Sequence, residues 1–414
     1  MRNAEGDLAM ISLIRRSMVP CIAMSITACA GLPIAGPSTG PRTGPAPAAV
    51  PTFALQPATA PTVFSGRARW PIVAVDPAVY VDAEGYHLFY STFFCKRERD
   101  AAYSWDPANP AACDIDHTFT SIAYAFSADR GLTWTFRQTP VVLPTQSGFA
   151  ANRVETASFM RRGNMAYLIF CSDGTRDGRV FTARYQIGMA TLPLDSRGLR
   201  ASMLDESTRF QMRATPILPY DLRADRFDNN VQEPSITVGP EGPVLFYIGL
   251  GLKLPDQPID APGQGITKVG LGRAVLDDQF NVVSRSSSPI LGGVNITEVR
   301  YFDNAYHMFG TTFGGDAHQG EAINYATSAD GVTWSSPVIL MRPGSAPGFN
   351  DWGMNAPTAA IEQNQIVLLF TAFGTTGSKC APFGPTGRFG LPVLNGANCM
   401  YPTIGRAVAP RPIR

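Results

Sequence analysis

Two acidic residues stand at matching places in two similar stretches of the chain, each directly before a proline. Asp76-Pro77 begins the stretch DPAVYVDAEGYHLFY, and Glu233-Pro234 begins EPSITVGPEGPVLFY, with one glycine at the same place and the same Leu-Phe-Tyr end. Carboxyl groups that share a pocket raise each other's pKa, so one can stay protonated as an acid while another is an ionised base. Asp76 and Glu233 are therefore the first candidates for acid–base chemistry.

Three weaker copies of this stretch bring the repeat to five. They begin at Glu155, Glu298 and Asn355, and each continues into two apolar runs of which the second ends in an aromatic residue. Apolar residues that alternate with small or polar ones on both sides of a turn are typical of a β-hairpin. We expect five hairpins, with Asp76, Glu155, Glu233, Glu298 and Asn355 at one shared position.

A second repeat follows each hairpin and does not depend on the acids. Its copies place a small residue after the first apolar one, and they are Ile122-Ala-Tyr-Ala-Phe, Ile187-Gly-Met-Ala-Thr, Leu271-Gly-Arg-Ala-Val, Ile323-Asn-Tyr-Ala-Thr and Ile404-Gly-Arg-Ala-Val. Five such units indicate an all-β, five-bladed β-propeller, which we predict as a single domain over residues 64–414. Because the innermost strand of each blade lines the central channel, the five opening residues should converge on one axial pocket.

Two further segments have a structural pattern. They are SADRGLTW at 127–134 and SADGVTW at 328–334, and they resemble the Asp-box of sialidases and other propellers. In this pattern the Asp turns the chain, the Gly takes a positive φ and the Trp packs under the hairpin. We expect Asp129 and Asp330 to be structural. Residues 63–69 are the predicted outer strand that closes the ring against the last blade.

The Asp-Pro opening, the five blades and the acids on successive inner strands resemble glycoside hydrolase family 43 and its relatives in families 32, 62, 68 and 117. The resemblance implies that Asp76 is the general base and Glu233 the general acid. It gives Glu155 the place of the acid that tunes the pKa, where the family usually has Asp. It also implies an inverting enzyme that acts on an arabinose- or xylose-containing poly- or oligosaccharide, whereas the fructosyl-transferring relatives would make Asp76 a nucleophile.

Polar and aromatic residues near these acids suit the recognition of a sugar. Hydroxyl-binding side chains and one aromatic ring that could stack on a sugar face are supplied by Arg153, Asn230, Glu298, Arg300, Trp352, Asn355 and His318. Asn152 and Asn229 also precede acids, and His117 lies in a loop at the channel mouth. His87 and His307 occupy matching second-strand positions, where we expect buried core residues.

Each of these assignments has a structural alternative. Asp76 and Glu233 could receive backbone N–H bonds at the starts of strands, and Glu155 is as open to this interpretation as to a functional one. Glu298 and Arg300 could form a charged pair, and Trp352 could pack on the loop that carries it.

The N-terminal segment has the layout of an export signal. Arg15-Arg16 precede a short apolar stretch that ends at Cys29, and Ile26-Thr-Ala-Cys29 resembles the lipobox of bacterial lipoproteins. The resemblance implies that residues 1–29 are a signal and that Cys29 carries the lipid, although an ordinary cleaved signal would share this layout. Residues 30–63, rich in Pro, Ala, Gly and Thr, are predicted to be a disordered linker.

The other cysteines agree with export. We predict disulfides between Cys95 and Cys113 and between Cys380 and Cys399, because each pair brackets a loop that follows an inner hairpin. Cys171 ends an apolar run and is predicted to be a buried free thiol.

The charge balance limits the partners. Thirty-four basic and 33 acidic residues give a net charge of +1, which argues against nucleic acid and leaves the lipid anchor as the only expected contact with a membrane. We expect a carbohydrate substrate, a monomer and no cofactor. No cluster of His, Cys and Asp has the spacing of a metal site, although the family resemblance allows a structural calcium ion in the channel.

Two other functions are consistent with the same residues. The alternative to an enzyme is a propeller lipoprotein that binds glycans or a partner in the cell envelope without turnover. A sialidase-like enzyme is a weaker hypothesis, because the chain has five repeats and no set of three arginines for a carboxylate.

Overall fold

The computed structural model describes residues 50–56, 74–95, 118–145, 147–151, 153–173, 176–177, 180–181, 184–253, 265–312, 320–347, 349–376, 382–383, 387–388, 391–392 and 399–411. Within these ranges the chain forms five antiparallel sheets of four or five strands, besides two small hairpins, so the predicted all-β, five-bladed propeller is confirmed. The predicted disulfides lie outside this description, since Cys113 and Cys380 fall outside the ranges and Cys95 and Cys399 are described by their backbone alone.

Each blade begins with the predicted hairpin at the centre of the ring. Blades 1 and 2, from the inner strand outward, are β2 (Val75–Val81), β3 (Tyr86–Cys95), β4 (Thr118–Ser127) and β5 (Thr135–Phe136), then β6 (Arg153–Arg162), β7 (Met165–Asp173), β10 (Gln186–Pro193) and β11 (Gln211–Met212). Blade 3 is β12 (Asn230–Gly239), β13 (Gly242–Leu252), β14 (Ile266–Leu276) and β15 (Val282–Arg285), with β16 (Leu291–Gly292) also on β14.

The last two blades follow the same order. Blade 4 is β17 (Asn295–Phe302), β18 (Ala305–Thr311), β19 (Ile323–Ser328) and β20 (Val338–Met341). Blade 5 is β21 (Gly353–Ile361), β22 (Gln365–Thr376), β26 (Cys399–Pro410) and β1 (Ala54–Leu55), with β25 (Leu391–Pro392) also on β26. Two small hairpins are formed by β8 (Arg176–Asp177) with β9 (Val180–Phe181) and by β23 (Pro382–Phe383) with β24 (Gly387–Arg388).

The ring is closed by a strand from near the N-terminus. Ala54 pairs with Val408 and Leu55 with Ala407, so β1 becomes the outer strand of blade 5. Pairing the two ends of the chain in one sheet removes an exposed sheet edge. The predicted closing strand at 63–69 lies outside the described residues, and its role is taken by residues 54–55, which we had placed in the disordered linker.

Five apolar clusters hold the blades together, one between each pair of neighbours. Between blades 1 and 2, for example, the rings of Phe89 and Phe159 stack with centroids 4.7 Å apart. Both faces of a blade are covered by its neighbours, so the strands are apolar on both faces. Helix α1 (Gly198–Leu204) has seven residues, and no helix in the described ranges has the length and apolar character to span a bilayer.

The Asp-box residues have the structural role that we predicted. Asp129 Oδ1 accepts hydrogen bonds from Ser127 Oγ (2.7 Å) and from the Thr133 N–H (2.8 Å), and Asp330 makes the corresponding bonds in blade 4. Gly131 has a φ of 82°, in the left-handed region that favours glycine.

The two second-strand histidines are core residues, as predicted. His87 and His307 are both buried. His87 Nδ1 lies 2.8 Å from the Tyr124 hydroxyl, and His307 Nδ1 lies 2.6 Å from the Tyr325 hydroxyl.

Candidate active site

Every inner strand breaks its pairing register at the same point, and one residue there has a positive φ. We call these five residues the left-handed positions. They are Asp76 (φ 50°), Thr156 (50°), Glu233 (52°), Ile296 (38°) and Ala356 (46°). Side chains other than glycine rarely adopt this conformation, and such strain clusters at functional sites. A bulge that recurs in all five blades turns the side chain at that point toward the channel.

This register corrects the expected alignment of the acids. Asp76 and Glu233 do occupy the same position, but Glu155 comes one residue before the left-handed position of its strand, which is Thr156. Because side chains alternate between the two faces of a strand, a shift of one residue changes the direction in which a carboxylate points.

The same correction applies to the last two blades. Glu298 comes two residues after Ile296, and Asn355 one residue before Ala356. Only two of the five opening residues, Asp76 and Glu233, therefore share one structural position.

The left-handed positions surround one pocket on the propeller axis. The pocket has an empty volume of about 330 Å³, including space open to solvent, and all five inner strands line it. Asp76 and Glu233 both face it, together with Thr156 and Glu298. The inner strands thus bring together two carboxyl groups from blades 1 and 3, as the sequence predicted.

At three of the left-handed positions, the backbone N–H donates a hydrogen bond to a side chain of the preceding blade. The backbone N–H of Asp76 donates to Thr371 Oγ1 (2.9 Å), and that of Thr156 donates to Ser91 Oγ (2.8 Å). The N–H of Glu233 likewise bonds the Cys171 thiol. These three acceptors occupy matching places on their second strands, each opposite the residue before a left-handed position.

Cys171 thus has a definite structural task. It is a buried free thiol, as predicted, and burial together with the charges of Glu155 and Glu233 raises its pKa well above the ordinary value. The thiol is therefore held protonated, and it serves as a hydrogen-bond acceptor for the Glu233 backbone.

The surroundings of Glu233 favour the protonated form of its carboxyl group. Burial raises the pKa of its carboxyl group well above the ordinary value, and the negative charges of Asp76, Glu155 and Glu321 raise it further. The hydroxyl of Thr156 lies beside the Glu233 carboxyl and lowers the pKa in part. A carboxyl group kept protonated beside a second carboxyl group is the division of labour that acid–base catalysis requires.

Glu155 lies next to this pair rather than within it. Burial raises the pKa of its carboxyl group, while the Arg153 guanidinium and the Thr120 hydroxyl lower it. Arg153, which we proposed as a sugar-binding residue, is buried and lies 3.4 Å through Nη1 from the Tyr185 hydroxyl. Its charge therefore acts on Glu155 at the edge of the site.

The predicted asparagines bind neighbouring parts of the protein. Asn230 is the first residue of the inner strand of blade 3, and its Oδ1 accepts the N–H of Tyr185 (2.9 Å). Asn229 bonds both backbone groups of Leu252 at 2.8 Å, so its side chain extends the strand pairing. Asn355 donates through Nδ2 to Glu321 Oε2 (3.1 Å).

Glu298 and Arg300 join blades within the channel. Arg300 Nη2 donates to the carbonyl of Val79 in blade 1 (2.7 Å) and to Glu298 Oε1 (2.5 Å). Glu298 also accepts from Thr358 Oγ1 (2.8 Å) and from the Ala359 N–H. The pair therefore links blades 4, 5 and 1, which is the structural alternative that we considered for it.

These contacts also bear on the structural calcium ion that the family resemblance allows. The guanidinium of Arg300 already supplies the positive charge beside Glu298, so this depth of the channel does not fit a metal ion. One metal-compatible group stands elsewhere among the described residues, formed by Asp82, Glu84 and His87 at the turn of the first hairpin. There Asp82 Oδ1 accepts the N–H of Glu84 (2.9 Å) and lies 3.1 Å from His87 Nε2.

The remaining candidates lie at the ends of the blades or outside the described ranges. Trp352 is half-buried, and its backbone bonds Gly320 (2.8 Å) and Phe373 (3.0 Å) at the start of the inner strand of blade 5. His318, His117 and Asn152 lie outside the described residues.

Sequence reasoning missed three side chains that surround the acids. Thr120, Tyr185 and Glu321 each lie two residues before the apolar residue that opens the second repeat, at Ile122, Ile187 and Ile323. Extending that repeat by two residues toward the N-terminus would have revealed this shared position.

Fold and site together define a five-bladed propeller in which a glutamate of raised pKa and a second carboxyl group, from different inner strands, face one axial pocket. No family model matches the chain, and no curated protein does. Solved structures do match. One is a complex of BT0996 with RGII, with a TM-score of 0.54 and 11% identity, over 80% of this chain and 87% of that one.

Two further structures have the same fold. The family 117 glycoside hydrolase Zg3597 from the marine bacterium Zobellia galactanivorans has a TM-score of 0.53 and 14% identity, over 87% of this chain and 90% of that one. An N-acetylgalactosamine deacetylase from F. plautii in complex with blood group B trisaccharide has a TM-score of 0.52 and 15% identity, over 87% and 95%. Family 43 enzymes are also among the matches. At these identities the likeness is one of fold, and the fold is that of the five-bladed propeller glycoside hydrolases.

Proposed function

We propose that this protein is a glycoside hydrolase in which Glu233 is the general acid and Asp76 the general base. The observation that supports this most strongly is that the two residues occupy the same left-handed position in blades 1 and 3 and face one pocket. The raised pKa of Glu233 adds a proton donor to that pair. The proteins of similar fold named above include glycoside hydrolases and complexes with carbohydrates.

The reaction follows from these roles. Glu233 donates its proton to the glycosidic oxygen as the bond from that oxygen to the anomeric carbon breaks. Asp76 takes a proton from a water molecule, whose oxygen bonds the anomeric carbon from the opposite face of the ring. The products are a sugar of inverted configuration and the free alcohol of the leaving group. Exchange with solvent then returns the proton from Asp76 to Glu233.

Thr156 makes this site differ from the pattern that the family resemblance implies. The left-handed position of blade 2 would place a third acid beside the pair, and it holds a hydroxyl group instead. Glu155 supplies a negative charge from the neighbouring position of the same strand, and this charge raises the pKa of Glu233. In this mechanism Glu155 tunes the acid without facing the pocket.

The substrate class and the location complete the proposal. The resemblance to family 43 supports an arabinose- or xylose-containing poly- or oligosaccharide as substrate. The apolar segment before Cys29 supports export with a lipid on that cysteine.

Hydrolysis of a substrate panel tests this function. The wild type is incubated with arabinan, xylan, fructan and their aryl glycosides, and Asp76→Asn and Glu233→Gln are compared with it on any substrate that is cleaved. Asp278→Asn is the matched control, because its side chain is 73% exposed and pairs only with Arg162 among the described residues. We expect both site variants to lose activity and the control to keep it. Hydrolysis that survives in both site variants would contradict the proposal.

Thr156 also supports the second candidate, a propeller that binds glycans without cleaving them. That function predicts no release of reducing sugar from any substrate, with glycan binding that survives both site substitutions. Calorimetric titration with the polysaccharides and aryl glycosides of the same panel distinguishes the two functions.

A further inference from the structure

Three side chains at the turn of the first hairpin are placed so that they could hold one metal ion. Asp82, Glu84 and His87 each offer one ligand atom, and these three atoms lie within 4.8 Å of one another. Asp82 and Glu84 stand on the turn between β2 and β3, and His87 is the second residue of β3. None of the three lines the axial pocket, and about 20 Å of extended chain separates Asp82 from Asp76 at the other end of the same strand.

The ring of His87 has one nitrogen that the rest of the protein does not use. His87 is 0% exposed, and its Nε2 makes no hydrogen bond within the described part of the chain. Nε2 lies 3.1 Å from Asp82 Oδ1, but the direction between the two atoms is not that of an N–H···O bond. Two ligands of one metal ion are related in this way, because both point at the ion and neither points at the other. Neighbouring ligand atoms of a tetrahedral zinc ion are about 3.3–3.6 Å apart, which is close to this distance.

The matching histidine of blade 4 uses both of its ring nitrogens. His307 Nδ1 lies 2.6 Å from the Tyr325 hydroxyl, as His87 Nδ1 lies 2.8 Å from the Tyr124 hydroxyl. His307 Nε2 then bonds the carbonyl oxygen of Phe302 (3.2 Å). The two histidines therefore differ at Nε2, which has a protein acceptor in blade 4 and none among the described residues in blade 1.

The residues of the two turns account for this difference. The turns have the same length, and the strand pairing puts Phe302 and Asn304 of blade 4 where blade 1 has Asp82 and Glu84. The Phe302 ring stacks on His307 with centroids 3.7 Å apart. Blade 4 thus covers its histidine with an apolar ring, whereas blade 1 places two carboxyl groups around the unused nitrogen.

The surroundings of this group suit a bound cation. The Tyr124 hydroxyl bonds the other ring nitrogen of His87, as a hydrogen-bonding group usually does for a histidine that binds a metal. Arg161 Nη1 lies 3.9 Å from Asp82 Oδ2, which is not the oxygen beside His87. Asp82 and Glu84 also line a cavity of about 920 Å³, including space open to solvent. Through this cavity an ion can enter, and water can complete its coordination.

We propose that Asp82, Glu84 and His87 bind a zinc ion, which fastens the turn of the first hairpin to β3. One imidazole nitrogen with two carboxylates and a water molecule suits Zn²⁺, whereas Ca²⁺ and Mg²⁺ prefer oxygen ligands throughout. The ion has a structural role, because it lies at the opposite end of the inner strand from the proposed base. The inference therefore does not depend on whether hydrolysis is found.

Zinc binding by the full chain tests the proposal. Bound metal is removed with a chelator, the protein is equilibrated with a series of zinc concentrations, and the zinc bound per chain is measured. Asp82→Asn, Glu84→Gln and His87→Phe should each lose one bound zinc ion or bind it about tenfold more weakly, or worse. His307→Phe is the matched control and should bind zinc as the wild type does, and excess calcium should not displace the ion. A wild type that binds no zinc, that binds it as the three variants do, or that exchanges it for calcium would overturn the proposal.

Nitrogen-15 NMR of the four histidine rings identifies the ligand atom. The His87 signals are assigned by their loss in His87→Phe or, if that variant does not fold, by elimination with variants of the other three histidines. We expect zinc to shift the Nε2 signal of His87 and to raise the Tm, and Asp82→Asn to abolish both responses. Asp82→Asn should fold, because its side chain is partly exposed and keeps an oxygen that can accept the Glu84 N–H. Zinc that shifts only the other histidines, or that raises the Tm of Asp82→Asn equally, would place the ion elsewhere and overturn the proposal.

Discussion

Asp76 and Glu233 have nearly the same backbone conformation, with φ of 50° and 52°, at the register break of inner strands in two different blades. Each is followed by a proline and held through its N–H by a side chain of the preceding blade, Thr371 for Asp76 and Cys171 for Glu233. The same local backbone structure therefore positions Asp76 in blade 1 and Glu233 in blade 3. Burial, together with the negative charges of Asp76, Glu155 and Glu321, raises the pKa of Glu233, and this supports the proposed role of Glu233 as the acid.

The role of Cys171 predicts which substitutions the site tolerates. Ser91 makes the corresponding bond in blade 1, so Cys171→Ser should retain the acceptor for the Glu233 N–H and keep most of the stability and activity. Cys171→Val fills similar space but leaves that buried N–H without its acceptor, and we expect it to lose about 1–3 kcal/mol of unfolding free energy. Urea denaturation and kcat/KM of the two variants provide the comparison. Equal behaviour of Ser and Val would show that the thiol does not hold the Glu233 backbone.

Protonation of Glu233 should make the stability of the protein depend on pH. Its pKa in the folded state is raised well above 4.5, the ordinary value. The stability it contributes is therefore full below that ordinary value and is lost as the pH rises through the raised pKa. Glu233→Gln removes this loss, so its Tm should exceed that of the wild type at about pH 8 by more than at about pH 4. A difference in Tm that is the same at both pH values would contradict the raised pKa.

Thr156 allows a third acid to be added to the site. Thr156→Asp should raise the pKa of Glu233 by about one unit, because it replaces a hydroxyl that lowers this pKa by a charge that raises it. The alkaline limb of the kcat/KM profile should move to higher pH by the same amount. Thr156→Asn is the neutral control of nearly the same shape. A shift of equal size in both variants would mean that the effect is one of packing.

The interfaces between inner strands predict a stabilising substitution. At four of them a side chain accepts a backbone N–H of the next blade, as Thr358 does for Val79 (3.0 Å) and Ser158 for Ile236 (2.9 Å). Ser235 and Glu298 make the same bond, whereas the matching residue of blade 1 is Ala78.

A hydroxyl at residue 78 should complete this ring of bonds. Ala78→Ser places it toward the N–H of Phe159, and we expect a gain of about 1 kcal/mol in unfolding free energy. Ala125→Ser, at a buried alanine outside the ring, should destabilise the protein. Thermal unfolding of both variants tests this, and a loss of stability in Ala78→Ser would contradict the proposed geometry.

The blades could be predicted from the sequence because the signal for them is repeated. Two independent repeats, the hairpin and the strand after it, each occur five times, and the alternation of apolar residues in them gives the strands directly. The register of the inner strands could not be predicted from the acids alone. Glu155 and Asn355 each lie one residue ahead of the left-handed position, and a bulge leaves no mark in the apolar pattern.

The prolines predict the pairing register of the inner strands better than the acids do. Pro357 follows Ala356 as Pro77 follows Asp76, so an alignment on proline would have placed Ala356 and not Asn355 in the shared position. Glu321 lies outside every hairpin, and its approach to the site depends on how neighbouring blades pack. That contact becomes visible only once the ring is assembled.

The measurement that tests the central claim most directly compares substrates with poor and good leaving groups. The leaving group of a natural glycoside needs a proton from Glu233 as the glycosidic bond breaks, whereas dinitrophenolate leaves a dinitrophenyl glycoside without one. We predict that Glu233→Gln loses most of its kcat/KM on the natural substrate and retains most of it on the dinitrophenyl glycoside, while Asp76→Asn loses both. Equal losses on the two substrates in Glu233→Gln, or activity retained in Asp76→Asn, would contradict the assignment of Glu233 as the acid and Asp76 as the base.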